Sequence, residues 1–500
     1  MENKIIYISA FIMTLVFFEI NAVSAQGQTS ITYNQDSTIR GQGVMEDGQP
    51  IGLWVYHDKE GNLLQRGEFE KGKRAGVWQV FDKNGNVTME VPYKNGISDG
   101  TLRHYYPNRR LKIETVVYND INIGTFKELH ENGRTKTTGE YKAGLKVGKW
   151  LSFHSNGITE SDASYKNDSI DGKLRRFSEF GYLLLEADYK MGKKYGNFEE
   201  YYENGQIRLK GIYQDDLEVG DWIEYYDNGI IRSKKKYEEG IPVGQWEFYH
   251  QNNKVFKVLN FKDGLEDSVY LEYHPSGAVS VKGIYEEGSK EGIWQNFHES
   301  GNLFAQGPYE NNLKNGNWKY YNEKGMLTSE GPFKNDTRHG QWFFYHETGQ
   351  VRTIGAYING AEEGLWGHFH TNGALMQEDT WKNGLLMQVS DFITTSGDTL
   401  GAGSLKDGNG TTFTYHDNGQ LKEEKTWTKG KMNGMSKLYD ERGTLIAEGP
   451  YKDGVKDGNW KYYHRSGSLE SQGRYTEGEL AGTWFFFNRS GRIIERLRYD

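Results

Sequence analysis

A 500-residue chain with 63 glycines but only 8 prolines, with 14% aromatic and 26% charged residues, is neither collagen-like nor disordered. The absence of cysteine excludes a disulfide scaffold, a thiolate zinc site, an iron–sulfur cluster and a cysteine nucleophile. A net charge of −9 is mild and acidic, so no overall field draws the chain to nucleic acid, and no nucleic-acid partner is expected.

Taken in chain order, the first element is an apolar run of 14 residues, Ile5 to Phe18, between Lys4 and Glu19. Val23-Ser24-Ala25 follows, with the small residues that a signal peptidase accepts. Residues 1–25 therefore read as a signal peptide cleaved after Ala25, and the protein is expected to be exported, periplasmic or at the cell surface or secreted. A 14-residue helix spans about 21 Å, short of a hydrocarbon core of about 30 Å. Retention as an uncleaved anchor is the other reading.

Residues 26–51 form a partial repeat or cap marked by Gly43 and Gly48. From Gly52 a glycine then recurs every 24 residues through Gly364, with Ser268 as the one replacement, giving fourteen repeats over 52–387. Residues 388–409, beginning at Gln388, are a degenerate repeat shortened by two residues. Gly410, Gly434, Gly458 and Gly482 restore the period over 410–500 as repeats 16 to 19. A period of this length marks a repeat architecture, so one array replaces the three globular domains that length alone suggests.

Counting from the first glycine of a repeat as position 0, tryptophan stands at position 2 in eleven repeats. Position 5 is aromatic in sixteen, position 9 is glycine in seventeen, and positions 11 and 17 are mostly aliphatic and aromatic respectively. Two short strands per repeat follow from the aromatic and β-branched enrichment and the Asn-Gly turn signals. Glycine at position 9 suits the left-handed place in a three-residue hairpin loop, which sets position 5 opposite position 11. Positions 13, 15 and 17 are then expected on that same face. Tryptophan at position 2 has the opposite parity, so either both faces carry aromatics or a bulge returns it to the core face. The fold class expected is all-β, an elongated array of about 19 antiparallel hairpins in a twisted open sheet.

The unit G-x-W-x-Y-Y-x-x-N-G-x-L-x-x-x-G-x-Y-x-x-G-x-x-x-G, of which Gly316 to His339 is a clear copy, resembles the bacterial variant of the MORN repeat. The same variant is found in YwqK-type toxin–antitoxin antitoxins. The resemblance covers nearly all of residues 28–500 and implies hairpin arrays that serve as interaction or membrane-associating platforms. An export signal would separate this chain from a cytosolic antitoxin. Choline-binding repeats share the Gly-Trp and Asn-Gly elements but lack the Tyr-Lys-Asn-Gly ending seen at Tyr93 to Gly96.

No nucleophile elbow, phosphate loop or zinc-protease motif occurs, so no enzyme, cofactor or metal is expected. Nine histidines share position 6, among them His250, His274 and His298 in consecutive repeats. Neighbouring repeats lie about 9.6 Å apart, too far for ligands that must each approach a metal to about 2.1 Å, so these read as polar residues opening each loop. The function expected is a non-enzymatic scaffold binding a protein partner or a cell-envelope component, with a glycan or lipid headgroup as further ligands. Toxin neutralisation of the YwqK type and carbohydrate or cell-wall binding are the alternatives. Four successive repeats keep their tryptophan, which makes Trp294, Trp318, Tyr320, Trp342, Phe344 and Trp366 the candidate interaction surface. Open strand edges also predict edge-to-edge self-association.

Overall fold

The computed structural model describes residues 28–34 and 38–499; the segment read as a signal peptide lies outside the described residues. The chain divides into two compact units, one ending at Val243 and one beginning at Gly244. Every element among the described residues is a strand, from Gln28–Tyr33 to Ile241–Pro242 in the first unit and from Gly244–Tyr249 to Ile493–Tyr499 in the second. Within each unit, strands pair antiparallel with their sequence neighbours. This is the all-β hairpin array that the periodicity predicts.

One repeat shows why these residues fold this way. Strand Lys73–Phe81 turns through Asp82 to Asn86 into strand Val87–Lys94. The turn closes by Asp82 N–H donating to Asn86 O at 2.9 Å and Gly85 N–H to Asp82 O at 3.0 Å. Gly85 has φ 75°, the left-handed conformation that favours glycine, and Phe81 pairs with Val87 as the three-residue loop requires. Asn95-Gly96 then makes a two-residue turn with both φ angles positive, at 53° and 84°.

The face assignment departs from the expected alternation. The register shifts between Val80 and Phe81, leaving Thr88 unopposed as a bulge, and the same shift recurs at Tyr320/Tyr321 and Phe344/Tyr345. The extra residue turns positions 13, 15 and 17 away from positions 5 and 11, correcting the expectation that all share a face. Positions 13, 15 and 17 instead join the tryptophan. A second irregularity lies between Arg66 and Glu68, where Gly76, with φ 63°, bows the facing strand so that Trp78 lies over Gly67.

The core of each unit is thus built of rings along one face of its sheet. In the second unit, Trp318, Tyr320, Trp342, Phe344 and Trp366 stack with successive centroids 6.1–6.3 Å apart and ring planes within 30° of each other. Tyr309, Phe333 and Tyr357 meet the tryptophans edge-on at 5.1–5.3 Å. Such edge-to-face contacts match the negative ring face to the positive ring edge.

The shortened repeat interrupts the sheet, which stops at Val389 and resumes at Gly410. Phe392, Ala402 and Leu405 are buried in the gap. Its backbone is tied to the flanking repeats, with Gly408 N–H donating to Met387 O at 2.9 Å and Gly430 N–H to Gly408 O at 2.8 Å.

Candidate interaction face

The structure places the four tryptophans of the candidate surface inside the ring column: Trp318 and Trp342 are 0% exposed, Trp294 2% and Trp366 6%. These four are core residues and present no ring to a partner. The second bulge is the physical reason, since it lays each indole flat on the preceding strand. Tyr320 and Phe344 are half-buried and reach the surface of the column.

The seat beneath each indole is a glycine. A Cβ built on Gly307 would lie 2.4 Å from the Trp318 ring, and one on Gly331 would lie 2.4 Å from Trp342. Ten tryptophans sit this way, each eleven residues after its glycine, from Gly43 and Trp54 to Gly473 and Trp484. In four repeats of the first unit where tryptophan is replaced, so is the glycine: Val91 precedes Leu102, Thr115 precedes Phe126, Ala163 precedes Leu174, and Ala187 precedes Phe198. This pairing is visible in the sequence once neighbouring repeats are compared.

Above the indoles lies a set of cations that sequence reading missed. Position 22 lies four residues before the next tryptophan position, on the same strand at Arg74 and Lys146 and on the two-residue strand just before it at Lys314 and Arg338, and the side chain there reaches over that ring. Arg74 lies 4.0 Å from the Trp78 centroid, Lys146 4.5 Å from Trp150, and Lys194 4.9 Å from Phe198 in the first unit. In the second unit Lys290 lies 4.4 Å from Trp294, Lys314 4.2 Å from Trp318, Arg338 4.6 Å from Trp342 and Lys456 4.2 Å from Trp460. Tyrosine hydroxyls orient several of them: Arg338 Nη1 donates to Tyr357 at 3.1 Å and Lys456 Nζ to Tyr462 at 2.8 Å. All seven are half-buried. Burial pushes the Lys314 ammonium below its ordinary range, as it does that of Lys146, with Asp336 and Asp168 opposing the effect. A cation held against a ring gains about 1 kcal/mol from the ring quadrupole.

None of these seven cations has a carboxylate within 4.0 Å among the described residues. The opposite face differs. There Arg103 pairs with Glu114 at 2.9 Å, Lys319 with Glu330 at 3.3 Å and Lys461 with Glu448 at 3.8 Å. Tyr105, Tyr345 and Tyr463 close the same clusters by donating to Glu90, Glu330 and Glu448 at 2.6–2.7 Å. The opposite face pairs its charges across strands, whereas the ring face, which has ion pairs of its own such as Lys425 with Glu423 at 2.8 Å, adds these seven cations over rings with no carboxylate within 4.0 Å among the described residues.

The histidines of position 6 join neighbouring loops. His250 Nε2 meets Tyr273 O at 3.1 Å, His274 Nε2 meets Phe297 O at 3.0 Å and His298 Nε2 meets Tyr321 O at 3.2 Å. His130, His154, His346, His370, His416 and His464 do the same. Each ring therefore carries its proton on Nε2 and ties one repeat to the next. No cluster of three metal-ligating side chains occurs among the described residues. In the first unit a shallow cavity of about 170 Å³ opens where Leu102 replaces tryptophan and Ser98 replaces the cation, walled by Arg74, Trp78 and Tyr93.

Two solved structures illustrate the likenesses found. A crystal structure of TcdB2-TccC3 is 11% identical over 94% of this chain and 29% of its own, with a TM-score of 0.13. A Photorhabdus luminescens Tc holotoxin pore with the TccC3-D651A mutation is 11% identical over 95% of this chain and 30% of its own, with a TM-score of 0.11. The chain thus spans less than a third of the length of either. No curated protein matches it. The MORN repeat variant model matches eleven segments, at 74–95, 146–167, 194–215, 218–239, 242–263, 290–311, 314–335, 338–359, 409–429, 432–453 and 456–477. Each of the seven segments that carry a position-22 cation over a ring begins on that cation. The chain belongs to the MORN repeat variant family, and its repeats build a scaffold.

Proposed function

We propose that this protein is a non-enzymatic, exported scaffold that holds a protein partner or an envelope component against its cation-capped aromatic face. The observation that carries the reading is the cation repeated over a ring in seven repeats, with no carboxylate within 4.0 Å among the described residues. A repeated weak contact gains by multivalency, since each engaged repeat raises the effective concentration at the next. Repeat arrays use extended surfaces in this way.

Affinity capture from the native envelope, followed by mass spectrometry, tests the binding half. A stoichiometric partner that is lost on combined Lys290→Gln, Lys314→Gln and Arg338→Gln substitution supports the reading. Retention of the same partner by that variant rejects the face, and recovery of a toxin would favour the neutralising role instead. Fractionation with N-terminal sequencing tests export: a periplasmic or external chain beginning at Gln26 is expected, and a cytoplasmic chain retaining Met1 would reject it.

A further inference from the structure

We propose that the run from Lys290 to Arg338 binds an acidic polysaccharide bearing one carboxylate per disaccharide; the inference rests on the scaffold reading and names its ligand. Lys290, Lys314 and Arg338 stand in three consecutive repeats, each over an indole at 4.2–4.6 Å. Consecutive repeats are two strands apart, so equivalent groups recur at about 9.6 Å. Two linked pyranose rings cover that distance, which puts one carboxylate on each cation. A nucleic-acid strand, with a charge every 3.4 Å or so, would leave most of its phosphates unmatched.

The surroundings fit sugar as well as charge. Tyr320 and Phe344 lie between the cations, half-buried, and their exposed parts give aromatic surface against which the apolar C–H faces of pyranoses can pack. Lys314 Nζ donates to the Tyr320 hydroxyl at 3.3 Å, and Arg338 to that of Tyr357 at 3.1 Å, which fixes the positive ends on the column. Asp336, the carboxylate that acts on Lys314, accepts from Lys314 N–H through Oδ1 at 2.8 Å, which holds it at the backbone and leaves the ammonium without an ion pair within 4.0 Å among the described residues. The amide oxygen of Asn312 accepts from Lys290 N–H at 2.8 Å in the equivalent place. The next repeat ends the run, because Glu362 occupies the position that the cations hold in these three. Length selectivity follows, as an oligosaccharide must reach three repeats to engage all three charges.

The experiment uses the full chain and hyaluronan oligosaccharides, which carry one carboxylate per disaccharide. Neutral chitin oligosaccharides and vesicles of mixed phosphatidylserine and phosphatidylcholine are the comparison arms. Binding to hyaluronan is expected at low salt, stronger for three disaccharides than for one, and weakening as salt screens the charges. Combined Lys290→Gln, Lys314→Gln and Arg338→Gln substitution should weaken it about tenfold, at a fraction of a kcal/mol per exposed charge pair. Lys319→Gln with Lys461→Gln, on the opposite face, should leave it unchanged. A second measurement needs no variant: hyaluronan should slow reductive methylation of Lys290 and Lys314 but not of Lys319. Absent hyaluronan binding, equal binding of chitin oligosaccharides, preference for vesicles, or equal methylation with and without hyaluronan would each overturn the proposal. A protein partner captured through the same face would survive those failures, which separates this inference from the scaffold reading.

Discussion

The run from Lys290 to Trp366 and the stretch from Ala163 to Phe198 fill the same face in two ways. In the first, four indoles lie flat on four glycines, and three carry a cation. In the second, Ala163 faces Leu174 and Ala187 faces Phe198 as ordinary cross-strand partners, all buried. The backbone follows the side chains. Gly292, Gly316, Gly340 and Gly364, which open the tryptophan repeats, have φ of 62–74°, whereas Gly172 and Gly196 have 117° and 113°. Every one of these angles lies in the region that favours glycine, so the opening residue is common to both solutions. What the comparison teaches is that ring size and seat size are chosen together, one repeat handing its glycine or alanine to the next.

The largest effect that could break this comparison is loss of a ring. Trp318→Ala removes a fully buried indole and should cost about 3–5 kcal/mol, read as faster hydrogen exchange along strands Gly316–Tyr321 and Leu327–Lys334. Leu174→Ala should cost less, near the lower end of about 2–5 kcal/mol. Equal losses would mean that indole and leucine contribute alike. Because Trp294, Trp318, Trp342 and Trp366 are buried, their replacement reports on stability, and binding is tested at the cations above them.

The next effect is overpacking of the seat. Gly331→Ala drives a methyl to 2.4 Å from the Trp342 ring and should cost about 1–3 kcal/mol. Adding Trp342→Phe should recover part of that loss, because alanine beneath phenylalanine is the arrangement at Ala187 and Phe198. The double variant must be more stable than the sum of the two single losses predicts. Strict additivity would show that the glycine and the ring are not coupled.

Much of this was legible in the sequence. The glycine period, the strands and the pairing of position 5 with position 11, as at Phe81 and Val87, follow from turn chemistry. The faces were not legible, because the bulge at position 12 carries no marker. Thr88, Arg208, Phe304 and Thr328 all occupy it, and a bulge whose first residue is near the right-handed helical region does not demand glycine. Parity counted across that position therefore assigns the wrong face to everything after it. The burial of the tryptophans was recoverable from the eleven-residue spacing to glycine. The cations were hidden because Lys290, Lys314 and Arg338 read as ordinary residues beside a turn until the register sets them over the next ring.

A smaller effect sharpens the claim that the two solutions differ on one face only. Tyr105 belongs to the Leu102 repeat and Tyr345 to the Trp342 repeat, yet burial and a hydrogen bond to glutamate push both hydroxyls up to about 12. Tyr463 behaves alike, bonded to Glu448. A folded-state value raised above the unfolded value of about 10 contributes stability below pH 10 or so, and that contribution fades as pH climbs toward 12. Ultraviolet titration of Tyr105→Phe and Tyr345→Phe should therefore each remove one late-ionising group. A late group at one site and an ordinary one at the other would show that the difference in core crosses the sheet.

The smallest effect isolates the opening residue from the ring it precedes. Ser268 takes the glycine place with φ 67°, where a side chain costs about 1 kcal/mol or somewhat more. Among the described residues its hydroxyl bonds to the adjacent Asp267 carboxylate alone, at 2.7 Å, an exposed contact of little net value. Ser268→Gly should thus stabilise the second unit by about 1 kcal/mol, less the extra chain entropy of glycine in the unfolded state. The gain should appear as slower exchange in strands Leu265–Tyr273 and Val279–Glu286, although this repeat has Tyr270 in the tryptophan place and Leu259 eleven residues before it, where other repeats have glycine. If the substitution is neutral or destabilising, the left-handed angle at the repeat opening is set by the tryptophan and its seat. If it stabilises, the turn chemistry is independent of the core, and evolution can exchange rings along the array without rebuilding the backbone that carries them.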